Sequence, residues 1–284
     1  MLVLISGGNG QLAGDFKRLF EEIGIEYLAP NHREMDIENI ENIEKYIENK
    51  KIDVIINCAA YNQVDRGQIE REKAFGTNTY GVKNLVEIAK KIDAIYMTYS
   101  TDFVFGGEKN TPYVEEDKAQ PLSIYGESKL LGEKYVQEIW EKSFIIRTSW
   151  VFGIGNNNFV KQIINWSKDK KELSIVDDQI SSPTYSYDLA RYSWKLFETR
   201  KYGIYHLCNS GVCSRYEEAK YILEKIGWNG ELKRAKSKDF DPIGIRPNYS
   251  KISCKKSENL IGKMPDWKSG VDRFLEEMES KNEI

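Results

Sequence analysis

The sequence has few of the residues that build metal centres and disulfide frameworks. Its 284 residues include two histidines and four cysteines, and no two cysteines form a CxxC pair. A zinc site is therefore not expected, and neither is a disulfide scaffold. We expect a reduced, cytoplasmic protein, and we assign no metal ligand. The cysteines are Cys58, Cys208, Cys213 and Cys254.

Long apolar runs and an excess of positive charge are also missing. The run at the start, MLVLIS, is too short for the core of a signal peptide and has no basic segment before it. No segment approaches the roughly 20 apolar residues of a membrane span. The net charge of −3 provides no footprint for nucleic acid or an anionic membrane. We therefore expect neither as a partner.

The sequence does contain material for a large core and a regular alternation of strands and helices. Hydrophobic residues make up 40% and charged residues 30%, as is typical of globular proteins. Strand–helix alternation with nearly continuous apolar strands predicts an α/β fold with a doubly wound parallel (Rossmann) sheet. The predicted strands of the first half are LVLIS (2–6), IEYLA (25–29), DVIINCAA (53–60), AIYMTYS (94–100) and FIIRTSW (144–150).

The pattern changes after about residue 150. We predict a dinucleotide-binding domain over residues 1–150. Residues 151–284 are predicted to form mainly a smaller α+β substrate-binding lobe, with some segments returning to the Rossmann sheet. Helical patterns occur in FVKQIINWSK (159–168), YDLARYSWKLFE (187–198) and YEEAKYILEKIG (216–227), and short strands in SIVDD (174–178) and GIYHLCN (203–209).

A glycine loop, SGGNGQLAG (6–14), follows the first strand and opens the first helix. Gly7 would allow a tight turn, and Gly10 would let the backbone approach a pyrophosphate. The small Ala13 would let the helix pack on the strand, and the helix N-terminus would supply N–H groups to the phosphates. The loop predicts a dinucleotide site, although many ordinary turns between a strand and a helix also contain glycine.

The end of the second strand bears on the choice between NADPH and NADH. An acid there often binds the ribose 2′-hydroxyl, but this chain has Asn31, His32 and Arg33. The Arg33 cation could accommodate a 2′-phosphate, or it could be a solvated loop charge. Asp36 and Ile37 lie a little further on, where they could flank the adenine. Both cofactors therefore stay open.

Three residues are candidates for chemistry. Tyr125 and Lys129 are four positions apart in YGESK, so on a helix they share one face. A tyrosine has a pKa near 10, and a nearby ammonium favours the phenolate and lowers that pKa. Thr101 directly follows the predicted fourth strand, at the crevice where such sheets bind ligands. The alternatives are an amphipathic helix with a surface lysine, and a loop whose Ser, Thr and Asp side chains cap its own backbone.

The set of glycine loop, STD and YxxxK resembles the extended short-chain dehydrogenase/reductase superfamily. Further segments, in order along the chain, resemble the dTDP-4-dehydrorhamnose reductase family. This resemblance implies reduction of the 4-keto group of dTDP-4-dehydro-L-rhamnose to dTDP-L-rhamnose with NADPH or NADH, for bacterial surface polysaccharide synthesis. The segments are GGNGQLAG, NCAAYNQVD, STDFVF, YGESK, RTSWVFG, NNNFVK, DDQISSPT, YHLCNSGVCS and RPNYS.

The resemblance also implies roles for individual residues. Tyr125 would be the proton donor, Lys129 its partner and Thr101 the third catalytic residue. Together with the loop residues above, the expected cofactor contacts are Gly7, Gly10, Gln11, Leu12, Arg33, Asp36, Ile37, Ala60, Tyr61, Asn62, Tyr125 and Lys129. The expected substrate contacts are Thr101, Asp102, Phe103, Trp150, Asn158 and Arg246.

Some of these residues have ordinary structural alternatives. Trp150 could be a core residue, Asn158 could be a helix N-cap, and Arg246 could pair with a carboxylate rather than with a diphosphate.

The chain departs from the family pattern at several positions. Phe103 replaces the usual tyrosine of STDY, Gly106 the aspartate of VFDG, and Asn62 a threonine. Losing a hydrogen bond to a sugar hydroxyl changes discrimination, so a 4-ketoreductase for a different nucleotide 6-deoxysugar stays open. A non-catalytic regulatory subunit of the same fold is the other alternative. The oligomeric state is also open, with a homodimer as one option, as is a metal at a dimer interface.

Overall fold

The computed structural model describes residues 1–155 and 157–281. In the first half of the chain, strands occur where the apolar runs were expected. In chain order the strands are β1 (Leu2–Ser6), β2 (Glu26–Leu28), β3 (Val54–Asn57), β4 (Ile95–Thr101), β5 (Ser143–Thr148), β6 (Val151–Phe152), β7 (Glu172–Val176), β8 (Ile180–Ser181), β9 (Thr184–Tyr185), β10 (Gly203–His206), β11 (Cys213–Ser214) and β12 (Glu231–Ala235).

Amphipathic patterns produce the helices between these strands. The first helix buries Phe16 and Phe20 and ends at Gly24, whose φ of 71° lets its N–H bond to the Phe20 carbonyl. The helices are α1 (Gln11–Ile23), α2 (Ile40–Ile47), α3 (Val64–Ile69), α4 (Arg71–Phe75), α5 (Val82–Lys91), α6 (Ile124–Ile139), α7 (Phe159–Asp169), α8 (Ser186–Glu198), α9 (Arg215–Lys225), α10 (Lys255–Ile261) and α11 (Trp267–Ser280), with a π-helical turn over Gly76–Gly81 and 3₁₀ turns over Asp102–Val104 and Ser237–Phe240.

The main sheet has six parallel strands in the order β10-β5-β4-β3-β1-β2. From β1 the chain moves to β2 on one side and then returns to β3 on the other side. The carboxyl ends of β1 and β3 therefore border a topological switch point, which is where open α/β sheets bind ligands. The predicted doubly wound parallel sheet is confirmed.

Alternate strand residues face the two sides of this sheet. Val3 and Ile5 of β1 lie in one buried cluster with residues of α1, whereas Leu4 lies in a second cluster with residues of α2 and α5. The period of two is that of a pleated strand. Because both faces are covered, the central strands read as continuous apolar runs, and the sheet holds the loops at its carboxyl edge in fixed positions.

The strands after residue 150 are divided between the main sheet and three two-stranded sheets, and we call the part that contains these small sheets the smaller lobe. The strand β10, within GIYHLCN, pairs with β5, and α8 packs on α1. The other short strands pair as β6 with β9, β7 with β12 and β8 with β11. Ser181 of β8 donates a hydrogen bond to Asp102, just past β4, so the lobe lies at the carboxyl edge of the sheet.

Two searches of the described residues bear on partners. No helix among them is long and apolar enough to cross a membrane. Nor do three or more of their His, Cys, Asp or Glu side chains group together as metal ligands would.

Candidate active site

A cleft of about 860 Å³ opens at the switch point, and we call it the first cleft. The glycine loop lines it at Gly7, Gly10, Gln11 and Leu12. Ser100 at the end of β4 and Thr148 at the end of β5 also line it, as do Tyr125 and Lys129 of α6. Residues predicted from the glycine loop and from YGESK therefore meet in one cavity, which Thr101 does not line.

The glycine loop has the backbone geometry of an anion site. Gly7 has a φ of 70°, and a Cβ there would lie 2.8 Å from the Ala59 nitrogen, so only glycine fits this turn. Gly10 is the N-cap of α1, and no side chain caps the helix there. The first amides of α1 are thus left for a ligand, and the helix dipole adds positive potential.

Two buried hydroxyls that line the first cleft also point to a ligand. Ser100 Oγ and Thr148 Oγ1 are buried, and neither has a hydrogen-bond partner among the described residues. An unpaired buried polar group costs about 1–3 kcal/mol. These hydroxyls and the uncapped amides of α1 fit a ligand that carries both phosphates and polar ring substituents, as a nicotinamide dinucleotide does.

The loop after β2 supplies positive charge to the same cleft. Asn31, His32 and Arg33 line it, and Arg33 is exposed with no ion pair among the residues that the structure describes. Asp36 and Ile37 do not line this cleft. The Asp36 carboxylate accepts from the Glu38 N–H, while Ile37 is buried against Gly81 of the π-helical turn. A contact of either residue with the cofactor stays a prediction.

The loop after β3 contributes through two of its three predicted residues. Ala60 and Asn62 line the first cleft, whereas the Tyr61 hydroxyl turns away to donate to Glu70 at 2.7 Å. Buried Asn78 of the π-helical turn holds the Tyr61 backbone through both its N–H and its C=O. Asn78 also donates to Ser128 of α6. Sequence reasoning missed Asn78, although a π-helical turn often marks a functional region.

The helix α6 positions Tyr125 and Lys129. Ser123 caps the helix by accepting from the Gly126 N–H at 3.2 Å, which fixes where the first turn begins. Tyr125 is half-buried in this first turn, and Lys129 is 5% exposed one turn later. Both face the first cleft, so the alternative of an ordinary surface lysine does not hold.

The protonation of this pair differs from the expectation. Burial raises the pKa of Tyr125 to about 12, and Asp102 also raises it, while the side chain of Thr101 acts in the opposite direction. Burial lowers the pKa of Lys129 to about 8, against the carboxylate of Glu133, which raises it. Desolvation therefore dominates the pKa of Tyr125, the expected lowering by Lys129 is not found, and the phenol is protonated at neutral pH.

Behind Lys129 lies a buried ion pair that sequence reasoning missed. Glu133, 2% exposed, accepts from Arg147 Nε at 2.9 Å and from Arg147 Nη2 at 2.7 Å. Glu133 is one helical turn beyond Lys129. The spacing YGESKLLGE contains the signal, since the positions of Lys129 and Glu133 repeat the interval between Tyr125 and Lys129.

Thr101 and Asp102 stand between the sheet and the smaller lobe. The Thr101 hydroxyl donates to Asp102 at 3.1 Å and accepts from the Phe103 N–H at 3.1 Å. Asp102 is 2% exposed, and its carboxylate also accepts from Ser181 and Ser250 of the lobe. Burial raises the pKa of Asp102 to about 6, against these three hydroxyls, which lower it. Asp102 thus joins the two parts of the molecule and lies away from the first cleft.

A second cleft of about 530 Å³ shares Asn62 with the first. Phe103 lines it and also packs edge-on against the ring of Tyr125, with centroids 6.0 Å apart. Phe159 adds an aromatic ring to this wall, and Arg215 a cation. The second cleft therefore begins beside the candidate proton donor and offers aromatic and cationic surface.

Arg246 lines the second cleft and pairs with Asp65. Its Nη1 and Nη2 reach the two Asp65 oxygens at 3.0 and 2.6 Å, a bidentate pair across the cleft. This is the carboxylate-paired alternative for Arg246. A quarter of the Arg246 side chain is still exposed, so the guanidinium remains in reach of a ligand.

Neither Trp150 nor Asn158 lines the second cleft. Trp150 has a φ of 45°, which is strained for a non-glycine residue, and Arg215 stacks 3.6 Å from its ring centre. Asn158 caps α7 and donates to Gln11 at 3.1 Å, which places it in the first cleft rather than the second. Asn156, the first residue of the NNNFVK motif, lies outside the described residues.

The chain matches known proteins over nearly its whole length. The family model for the RmlD substrate binding domain matches residues 1–280. The chain is 36% identical to the spore coat polysaccharide biosynthesis protein SpsK of Bacillus subtilis, over 98% of each protein. It is also 36% identical to the dTDP-4-dehydrorhamnose reductase of Aggregatibacter actinomycetemcomitans, over 95% of this chain and 96% of that one.

A solved structure is similar to this chain over nearly the whole length of both proteins. It is the crystal structure of dTDP-4-dehydrorhamnose reductase from Bacillus anthracis in complex with NADP. The two superpose with a TM-score of 0.94 at 36% identity, covering 97% of this chain and 99% of that one.

Proposed function

The chain belongs to the dTDP-4-dehydrorhamnose reductase family, and from this premise we propose that it reduces the 4-keto group of a dTDP-activated 6-deoxysugar with NADPH or NADH. The observation that supports this proposal most directly is that Tyr125 and Lys129 face the cavity that the uncapped glycine loop lines. A loop for a dinucleotide pyrophosphate and a protonated phenol beside a lysine are the two parts that carbonyl reduction needs.

The first cleft holds the dinucleotide in this proposal. The amides at the start of α1 receive the pyrophosphate, and Arg33 with His32 receives a 2′-phosphate when one is present. Ser100 and Thr148 offer their unpaired hydroxyls deeper in the cleft. When bound, the reduced nicotinamide supplies a hydride to the carbonyl carbon of the sugar.

Tyr125 gives the proton that the reduction requires. With a pKa of about 12, its phenol keeps the proton at neutral pH until negative charge develops on the sugar O4. The proton then moves from the Tyr125 hydroxyl to O4, leaving a phenolate. The Lys129 ammonium stabilises that phenolate by charge, and Thr101 orients the ketone by hydrogen bonding.

The second cleft holds the dTDP moiety in this proposal. Phe103 and Phe159 offer ring faces for the thymine or the sugar, and Arg215 offers charge to the diphosphate. Arg246 exchanges part of its pairing with Asp65 for a phosphate oxygen as the substrate enters.

We assign dTDP-4-dehydro-L-rhamnose as the substrate. The similarity to named dTDP-4-dehydrorhamnose reductases supports this assignment, and the similarity to a spore coat polysaccharide protein supports a role in surface polysaccharide synthesis. One observation favours a second candidate, a related 4-keto-6-deoxysugar: Phe103 lies against Tyr125, at the position where the family usually has a tyrosine.

A cytoplasmic location agrees with the four cysteines, all of which are free thiols. Cell fractionation tests that location, and light scattering after gel filtration tests the homodimer.

An assay of ketosugar reduction tests the function. The purified protein is incubated with dTDP-4-dehydro-L-rhamnose, or with other dTDP-4-keto-6-deoxysugars, and with NADPH or NADH. We expect oxidation of the cofactor with formation of dTDP-L-rhamnose. Cofactor binding without turnover on any of these sugars contradicts the proposal and favours the regulatory alternative, while preference for another sugar contradicts only the assignment of rhamnose.

A further inference from the structure

A pair of thiols lies outside the clefts, where the sheet meets the smaller lobe. Cys208 follows β10, and Cys254 immediately precedes α10. Their sulfur atoms are 3.3 Å apart, in hydrogen-bond contact. The two side chains are 2% and 8% exposed, and both belong to a small cluster with Phe105 and Ile252.

A cation accompanies this pair. Lys251 Nζ lies 3.5 Å from Cys208 Sγ and 2.8 Å from Ser182 Oγ. The hydrogen bond from Cys254 and the charge of Lys251 lower the pKa of the Cys208 thiol. The same contact and burial raise the pKa of Cys254. The contact thus favours the thiolate at Cys208 and the thiol at Cys254.

The other two cysteines lack such an environment. Burial raises the pKa of both Cys58 and Cys213, so both stay protonated thiols. A thiolate, and not a thiol, is the reactive nucleophile. The four cysteines therefore provide a reactive pair and two internal controls in one chain.

We propose that Cys208 and Cys254 form a redox-active dithiol site that a peroxide converts to a reversible intramolecular disulfide. The Cys208 thiolate attacks one peroxide oxygen, the O–O bond breaks, and a sulfenic acid and one water result after proton uptake. Cys254 then attacks the sulfenic sulfur, the S–O bond breaks, and a second water leaves with the Cys254 proton. The two thiols lose two electrons, and the peroxide gains them.

The geometry permits this bond with a small movement. A disulfide requires about 2.05 Å between the sulfur atoms, so they need to approach each other by roughly 1.3 Å from their 3.3 Å separation. Hydrogen peroxide has to reach the pair beside Lys251, which is half-buried.

The bond would fasten a segment that reaches the proposed substrate site. Residues 246–254 run from Arg246, which pairs with Asp65 at the second cleft, through Ser250, which bonds Asp102, to Cys254. A link from Cys254 to Cys208 ties this segment to the end of β10. We therefore expect the oxidised form to be more resistant to heat than the reduced form, because the link closes a long loop of the unfolded chain.

Peptide mapping by mass spectrometry tests the site. The reduced full-length protein is treated with hydrogen peroxide and then denatured, and its free thiols are alkylated. We expect a linked Cys208–Cys254 peptide, full alkylation of Cys58 and Cys213, and return of all four thiols after dithiothreitol. Four alkylated cysteines after peroxide treatment, or links between chains in place of the internal link, overturn the proposal.

Variants separate the pair from the rest of the chain. Cys254→Ser should form no disulfide and should accumulate oxidised Cys208, whereas the matched Cys213→Ser should form the link as the wild type does. Lys251→Met should slow link formation several-fold. An unchanged rate in Lys251→Met overturns the role of the cation. The mapping of the wild type needs no variant to fold, so the site remains testable if a substitution destabilises the protein.

Discussion

The substitution Glu133→Gln tests how the buried charges behind Lys129 set its protonation. Glu133 raises the pKa of Lys129, while burial lowers it, and the resulting pKa is about 8. This folded-state pKa lies below the ordinary value of 10.5, so the ammonium is lost as the pH rises through about 8. The reductase activity that depends on the ammonium should fall in the same window.

The size of the effect is worked from the spacing of the two positions on the helix. Side chains one helical turn apart have Cβ atoms about 5–6 Å apart. Two charges about 6 Å apart interact by about 3 kcal/mol at an effective dielectric constant of about 20. One pKa unit corresponds to about 1.4 kcal/mol, so removal of the Glu133 charge lowers the pKa of Lys129 by at most about two units. Because the first cleft opens to water, we expect a shift of about one unit.

The assay is the pH profile of kcat/KM for the ketosugar at saturating NADPH. The alkaline limb should move by about one pH unit towards acid in Glu133→Gln. The exposed Glu138 on the same helix provides the matched control, Glu138→Gln, whose profile should equal that of the wild type.

The experiment must distinguish a change in the pKa of Lys129 from a loss of folding stability. Breaking a buried pair costs about 3–5 kcal/mol, so the double variant Glu133→Gln/Arg147→Met removes the unpaired Arg147 charge. A folded Glu133→Gln protein that binds NADPH and keeps the wild-type limb refutes the reasoning.

Three further substitutions test other parts of the site. Arg33→Gln should weaken NADPH binding about 10–100-fold, which is the contribution of a charged hydrogen bond, and should leave NADH binding unchanged. Titration of cofactor fluorescence measures the affinity for each cofactor, and Arg71→Gln is the exposed control. Arg246→Lys should raise KM for the dTDP-sugar about tenfold at nearly constant kcat, because a lysine lacks the bidentate fork; an unchanged KM contradicts the exchange with phosphate. The raised pKa of Asp102, about 6, means that the folded state holds its proton more tightly, so stability should fall by at most about 3 kcal/mol as the pH rises from 4 to 6. Urea unfolding of Asp102→Asn, which has no proton to lose, should lack that part of the slope.

Local spacing explains what the sequence predicted well. The conformation of the glycine loop depends on backbone sterics within a few residues. The shared face of Tyr125 and Lys129 follows from the period of a single helix. The parallel sheet follows from the alternation of apolar runs with amphipathic helices. Each of these signals lies within one element or between neighbouring elements.

The placement of the loop after β2 depended on contacts that the sequence does not reveal. β2 is three residues long, and the chain then turns so that Arg33 faces the first cleft. Ile37 is drawn beneath the π-helical turn, against Gly81. The expectation that Asp36 and Ile37 flank the adenine stays a prediction.

Long-range pairs explain the remaining differences. Arg246 and Asp65 are 181 residues apart, and a single sequence does not say which carboxylate an arginine selects. The ring of Tyr125 packs against Phe103 and its burial raises its pKa, whereas the sequence suggested a lowered pKa. No sequence motif marked Asn78, because its side chain acts by hydrogen-bonding the backbone of a loop that is distant in the sequence.

Transfer of deuterium and proton within one turnover tests the central claim most directly. NADPH labelled with deuterium at the transferring position of the nicotinamide is mixed with dTDP-4-dehydro-L-rhamnose and either the wild type or Tyr125→Phe. We predict dTDP-L-rhamnose with deuterium at C4 from the wild type, and a loss of at least about a hundredfold in rate for Tyr125→Phe, as expected for removal of a general acid. Wild-type turnover by a folded Tyr125→Phe protein, or product without deuterium at C4, would contradict the account.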